Sequence, residues 1–206
     1  MKEISYPIKE FFYSIQGEGY YYGTAAYFIR FEGCNIRCSW CDTKESWNIK
    51  KENFITINQI LNNINNNHHQ IKTIVITGGE PTMWNLHPLI KKLKKKGHRI
   101  HIETSGSYPI KEKYVDWITI SPKKIKLPLQ ENYKKINELK IIISDENDFI
   151  FAEEQAYYVQ SVTNCFLFLQ PEWNSIFNVL PKIISYVKKN PKWRISFQMH
   201  KILNVP

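Results

Sequence analysis

The sequence predicts an α/β fold: a truncated, open (β/α) barrel of mostly parallel strands. Three observations carry this expectation. Short apolar runs alternate with longer amphipathic stretches along the chain, as in strand–helix–strand units. Small and polar clusters recur just after the apolar runs, where ligands gather in parallel folds. The length, 206 residues, falls short of the ~250 that a full eight-unit barrel usually needs.

The elements follow in order. AAYFIRF, Ala25–Phe31, reads as a strand. Residues 56–66 read as a helix, with Thr56 as N-cap and Ile57, Ile60, Leu61 and Ile64 on one face. The Asn-rich stretch 62–67, followed by His68 and His69, reads as a helix end and a polar loop; two histidines with no other ligand type beside them are weak metal evidence. Strands follow at 72–77, 99–103, 117–121, 139–143, 166–169 and 193–197. Helices are expected at 86–96, closed by Gly97, then at 149–160 and at Ile176–Lys189. No repeat and no Gly/Ser/Pro-rich linker divides the chain, so residues 1–206 read as one domain.

Composition excludes several classes. With 43% hydrophobic and 14% aromatic residues the chain cannot be fully disordered. No window approaches the ~18 apolar residues of a membrane span. The start, MKEISYPIKEFF, carries acidic residues and does not read as a signal peptide, so the expectation is a cytoplasmic protein with no membrane partner. Lys+Arg minus Asp+Glu gives 28 − 19 = +9. The lysines are scattered, and the densest run, residues 91–96, falls on a predicted solvated helix face, so nucleic acid is not the expected partner.

Four cysteines are present, three of them at 34, 38 and 41. Such spacing is too tight for a disulfide framework and suits a metal centre in a reducing compartment. Three thiolates on one short loop can hold three irons of a 4Fe-4S cluster and leave the fourth open to a ligand. Gly33 permits a sharp turn from the strand into this loop, residues 33–43. Zinc with a fourth ligand from elsewhere is the competing reading, but no second paired-ligand motif follows. Cys165, in the run NCFLFL, reads as a buried small hydrophobe.

Other polar segments surround this motif in sequence order: Phe12 through Gly19, Thr77 through Pro81, Glu103 through Gly106, Ser121 through Lys123, Leu169 through Pro171, and Gln198 through Lys201 with Pro206. Together with Cys41-Asp42-Thr43, this set resembles the radical S-adenosylmethionine superfamily and, within it, the 7-carboxy-7-deazaguanine synthase family. The likeness covers nearly the whole chain. Some family members insert a long segment between the first two cysteines; this chain has the short form.

The resemblance implies a lyase of queuosine and deazapurine biosynthesis. It would use a 4Fe-4S cluster, S-adenosyl-L-methionine and magnesium to convert 6-carboxy-5,6,7,8-tetrahydropterin to 7-carboxy-7-deazaguanine with loss of ammonia. It further implies an electron donor such as flavodoxin, and a homodimer. Carried onto this sequence, Cys34, Cys38 and Cys41 hold the cluster and Thr43 the magnesium. Trp40, Asp42, Gly79, Ser105, Ser121, Pro122, Lys123 and Gln170 face S-adenosylmethionine. Ile15, Gln16 and Gly17, read as a loop before the first barrel strand, would serve the pterin with Glu18, Arg30, Thr77, His200 and Pro206. The residues themselves support part of this. Arg30 shares a strand face with Phe28, and on a barrel lining its charge would need an anion such as a substrate carboxylate. The two threonines could equally be caps at strand ends. Pro206, the last residue of the sequence, would offer a carboxylate to the N–H donors of a pterin.

Two other functions compete. A glycyl-radical-enzyme activase shares the cysteine spacing but need not bind a pterin. A non-catalytic, basic metal-binding module acting on RNA would need metal for folding only.

Overall fold

In this computed structural model, residues 3–66, 70–111 and 113–206 are described. Nine strands form one sheet in the order β3-β1-β2-β4-β5-β6-β7-β8-β9. They are β1 Ser5–Ile15, β2 Ala25–Phe31, β3 Phe54–Thr56, β4 Thr73–Gly78, β5 Arg99–Thr104, β6 Trp117–Ile120, β7 Glu138–Ile143, β8 Phe166–Pro171 and β9 Trp193–Ile195. From β2 to β9 every neighbour is parallel. β3 and β9 end the order without pairing to each other, so the barrel is open, as the sequence predicts.

The helices are α1 Ile57–Asn65, α2 His87–Lys95, α3 Asn147–Gln160, α4 Ile176–Lys189 and α5 Met199–Leu203. Thr56 caps α1 through a reciprocal pair: its Oγ1 accepts from Gln59 N, and Gln59 Oε1 accepts from Thr56 N at 2.7 Å. α1 ends as expected, but His68 and His69 lie outside the described residues.

Strand alternation divides the molecule. Ile29, Ile74, Ile76, Ile100, Ile102, Leu139, Ile141 and Leu169 point toward the helices and are almost fully enclosed. They form two apolar clusters, one with α1 and α2 and one with α3 and α4. At ~1.5–3 kcal/mol for each such side chain, this layer supplies the stability. The alternate positions, including Arg30, Thr77, Glu103, Thr119 and Lys140, face the barrel interior and line a cavity, so their side chains are free to be polar.

Three elements depart from the sequence reading. β1 is a long antiparallel partner of β2, so Ile15 ends a strand opposite Ala25 rather than lying in a loop. Its apolar alternation is broken by Pro7 and by a register shift between Ile8 and Glu10. β3 has only three residues, paired to Ser5, Tyr6 and Pro7. α5 is a single short helix after β9 whose Met199 N donates to Gly17 O at 3.0 Å. Neither is long enough to show periodicity.

Candidate active site

The carboxyl ends of β2 and β4–β8 open onto one cavity of about 690 Å³. The loop after β2 carries Cys34, Cys38 and Cys41 to its wall. Gly33 N donates to Ser46 O and Cys34 N to Trp47 O, which fastens the loop to a short 3₁₀ turn, Lys44–Ser46. The end of β4 docks on the same loop: Glu80 N donates to Gly33 O at 2.7 Å. A Cβ on Gly79 would lie 2.4 Å from Gly33 O, and Gly78 holds φ 113°, so only the Gly-Gly pair allows this approach.

Cys38 is buried, and burial is the main force raising its thiol pKa; the other two thiols add to this while Lys123 opposes it. The three sulfurs therefore sit within electrostatic reach of each other at one cavity wall. Among the described residues no three His, Cys, Asp or Glu side chains converge on a single ion. The donor set itself fits a cluster, which takes one thiolate per iron, whereas a lone zinc would need a fourth protein ligand. Cys165 lies away from the cavity, and burial pushes its thiol up to about 12.

Two carboxylates organise the middle of the barrel. Glu80, 1% exposed, accepts from Thr82 N, Thr82 Oγ1, Thr104 Oγ1, Ser105 N and Ser105 Oγ. Glu103 accepts from Gln16 Nε2 at 2.8 Å and from Thr77 Oγ1 at 3.1 Å. Deeper, Lys140 forms an ion pair with Glu18. Burial opposes both charges, yet each overcomes that penalty in the other: the Glu18 pKa is lowered and the Lys140 pKa raised. His200 lies against Gly17; burial lowers its pKa, and Glu18 and Asp42 partly restore it.

The model of the radical SAM superfamily matches residues 28–144. A 7-carboxy-7-deazaguanine synthase of Flavobacterium psychrophilum is 50% identical, over 97% of this chain and 92% of the relative. The Synechocystis enzyme of that name is 44% identical over 98% and 94%, and that of Escherichia coli K12 31% over 98% and 100%. The crystal structure of QueE from Escherichia coli superposes with a TM-score of 0.80 at 29% identity, covering 94% of this chain and 93% of the other. The chain belongs to the 7-carboxy-7-deazaguanine synthase family. Family membership implies a 4Fe-4S cluster and S-adenosylmethionine.

Nearly every residue singled out in the sequence lines the one cavity: Ile15, Gln16, Gly17, Glu18, Arg30, Trp40, Asp42, Thr43, Thr77, Gly79, Ser105, Ser121, Lys123, Gln170, His200 and Pro206, with the three cysteines. Pro122 does not; it is buried behind the wall. The structure also supplies partners that the sequence reading lacked. Arg30 already has an anion, since its Nε donates to Glu10 Oε1 at 2.6 Å, and its guanidinium lies 5.3 Å from the Phe12 ring centre. Asp42 accepts from Gln198 Nε2 at 2.8 Å and faces Lys201 at 3.4 Å; these outweigh burial and lower its pKa. Lys123 donates to Ser121 Oγ at 2.7 Å and lies over the Trp40 ring at 4.6 Å. Gln170 Oε1 accepts from Ser196, and Pro206 O accepts from Ser14 Oγ at 2.8 Å. Thr43 makes no side-chain cap, and its Oγ1 lies 3.7 Å from Cys41 Sγ.

Glu80, Glu103 and Lys140 had no role in the sequence reading. The available signal was charge alternating with isoleucine or leucine along a strand: Glu103 in RIHIET and Lys140 in ELKIII.

Proposed function

We propose that this chain is a 7-carboxy-7-deazaguanine synthase acting in queuosine biosynthesis. It converts 6-carboxy-5,6,7,8-tetrahydropterin to 7-carboxy-7-deazaguanine with loss of ammonia. The observation that carries this is the meeting, in one cavity, of the three-cysteine wall with the opposed polar wall of Gln16, Thr77, Arg30, His200 and Pro206. The full-length relatives favour this reading over a glycyl-radical-enzyme activase or an RNA-binding metal module.

When bound, the cluster and S-adenosylmethionine would supply the radical chemistry that takes hydrogen from carbon 6 of the pterin. Cys34, Cys38 and Cys41 hold the cluster. Gly79 offers close backbone approach, while Trp40, Asp42, Ser121 and Lys123 flank S-adenosylmethionine. The Ser105 hydroxyl donates to Glu80 and accepts from Ser107 N, which leaves one lone pair to offer the cofactor. Gln170 accepts through its oxygen from Ser196, which leaves its amide N–H groups to donate.

On the substrate side, Gln16 and Thr77 give their protons to Glu103 and present oxygens to the pterin's N–H donors. Ile15, Gly17 and Glu18 shape the pocket beside them, and His200 closes over Gly17. Arg30 keeps Nε on Glu10, which leaves its Nη groups for the substrate carboxylate. Thr43, with no capping duty, would hold magnesium through its hydroxyl. Pro206, whose backbone oxygen accepts from Ser14 Oγ, lines the same pocket.

The cluster needs a low-potential reductant, for which flavodoxin is suited. The chain would act in the cytoplasm as one domain within a homodimer. α3 exposes Ile150, Tyr157 and Tyr158, an apolar face consistent with pairing.

The test is anaerobic reconstitution with iron and sulfide, then assay with dithionite, S-adenosylmethionine, magnesium and the carboxytetrahydropterin. The deazaguanine product is expected. Cleavage of S-adenosylmethionine with the pterin untouched would sink the assignment.

A further inference from the structure

Adjoining the main cavity, with which it shares Gln16 and Glu103, lies a second small space of about 10 Å³, whose wall includes His101, Glu138, Tyr21 and Trp117. This volume is close to the minimum for one water. His101 is 4% exposed, and its Nε2 is enclosed with no protein hydrogen-bond partner among the described residues. A buried polar atom left so is costly, and one ordered water meets the need whichever ring nitrogen carries the proton.

Aromatic rings cover the space from below. Tyr21 packs 4.6 Å from the His101 ring and 4.8 Å from Trp117, and Tyr20 stacks on Trp117 and Phe166 at 5.1 and 4.5 Å. The segment between β1 and β2 thus plugs the amino-terminal mouth of the barrel. Above, His101 and Glu103 are two residues apart on β5 and share its inward face. Each Glu103 oxygen takes one bond, from Gln16 or from Thr77, and each has a lone pair left for another donor.

We propose that this space holds one ordered water bridging His101 Nε2 to the Glu103 carboxylate, which makes His101 a positioning residue for Gln16 and Thr77. Through the bridge, His101 fixes the rotamer of Glu103, and Glu103 fixes which atoms of Gln16 and Thr77 face the pterin. The substrate consequence rests on the function proposed above; the water site does not.

The experiment has two arms. A high-resolution crystal structure of the reconstituted protein should show a solvent peak within hydrogen-bond distance of both His101 Nε2 and a Glu103 oxygen. No peak there, or a peak touching His101 alone, overturns the proposal. In the second arm, His101→Phe should raise the pterin KM about two- to tenfold, the worth of one neutral hydrogen bond. The fall in kcat should be smaller, with unchanged S-adenosylmethionine affinity and iron content. His101→Gln, which keeps polar atoms at the site, should recover most of the loss. Unaltered pterin KM in His101→Phe, or no recovery in His101→Gln, refutes the positioning role. If His101→Phe does not fold, the glutamine variant and the crystal structure still decide. If the protein does not convert the pterin at all, the functional assignment fails, and the solvent peak alone judges the bridge.

Discussion

Replacing Glu80 by glutamine removes one formal charge and leaves the shape almost unchanged. Its two oxygens accept five bonds, three at Oε1 from Thr82 and Thr104 and two at Oε2 from Ser105. A glutamine amide must turn its NH₂ toward one of these sets. Toward Ser105 it faces a backbone N–H that cannot rotate to accept. Toward Thr82 it meets a second backbone N–H. Either way a buried donor loses its acceptor, and the surviving bonds lose their charge assistance. A lost bond to a charged group costs ~1.5–3 kcal/mol and an orphaned buried donor ~1–3 kcal/mol, so the sum is about 2.5–6 kcal/mol. For a chain of this size that corresponds to a fall in Tm of roughly 5–24 °C. Thermal unfolding of the metal-free protein, followed by circular dichroism, reads this without any dependence on the cluster. A Tm within 2 °C of wild type, taken as about the lower bound of one kcal/mol, would show that the Glu80 network does not hold the ends of β4 and β5 together.

Three further outcomes follow from named residues. Burial lowers the His101 pKa from 6.5 to about 4, so the unfolded chain binds this proton more readily and stability falls as pH drops from 6.5 toward 4. The His101 share of the loss between pH 7 and 5 should be about 2 kcal/mol, read in urea titrations as the amount by which His101→Gln reduces the pH dependence; parallel curves for the two proteins would contradict the burial argument. Alanine at Cys34, Cys38 or Cys41 should abolish the visible absorbance and the bound iron of the reconstituted protein, while Cys165→Ala, away from the cavity, retains both; an intact cluster in Cys38→Ala would remove it from the ligand set. Arg30→Lys should raise the pterin KM about tenfold because the planar fork is lost, with S-adenosylmethionine binding unchanged; equal weakening of both would assign Arg30 to the Glu10 contact alone.

Local chemistry in the sequence determined the class of fold and singled out the three-cysteine loop as the candidate cluster site. Strand-forming runs, the Thr56 cap, the Gly97 stop and the spacing of three cysteines depend on neighbours within a few residues, and such signals survive in one dimension. The same holds for the polar segments after the strands, because parallel topology turns every strand end toward one mouth. Tertiary structure decided which of those polar groups face each other. Glu18 meets Lys140 across 122 positions, Asp42 meets Gln198 across 156, and Ser14 meets Pro206 across 192. No local preference encodes such pairs; they exist because strand positions such as Ser14 and Lys140, the segments that carry Glu18 and Asp42, and the chain around α5 meet at one cavity, where a buried charge persists only with a partner. The sequence could thus place Arg30 on a face that needs an anion, while only the folded sheet, setting Glu10 opposite Arg30 in the β1–β2 register, supplied one.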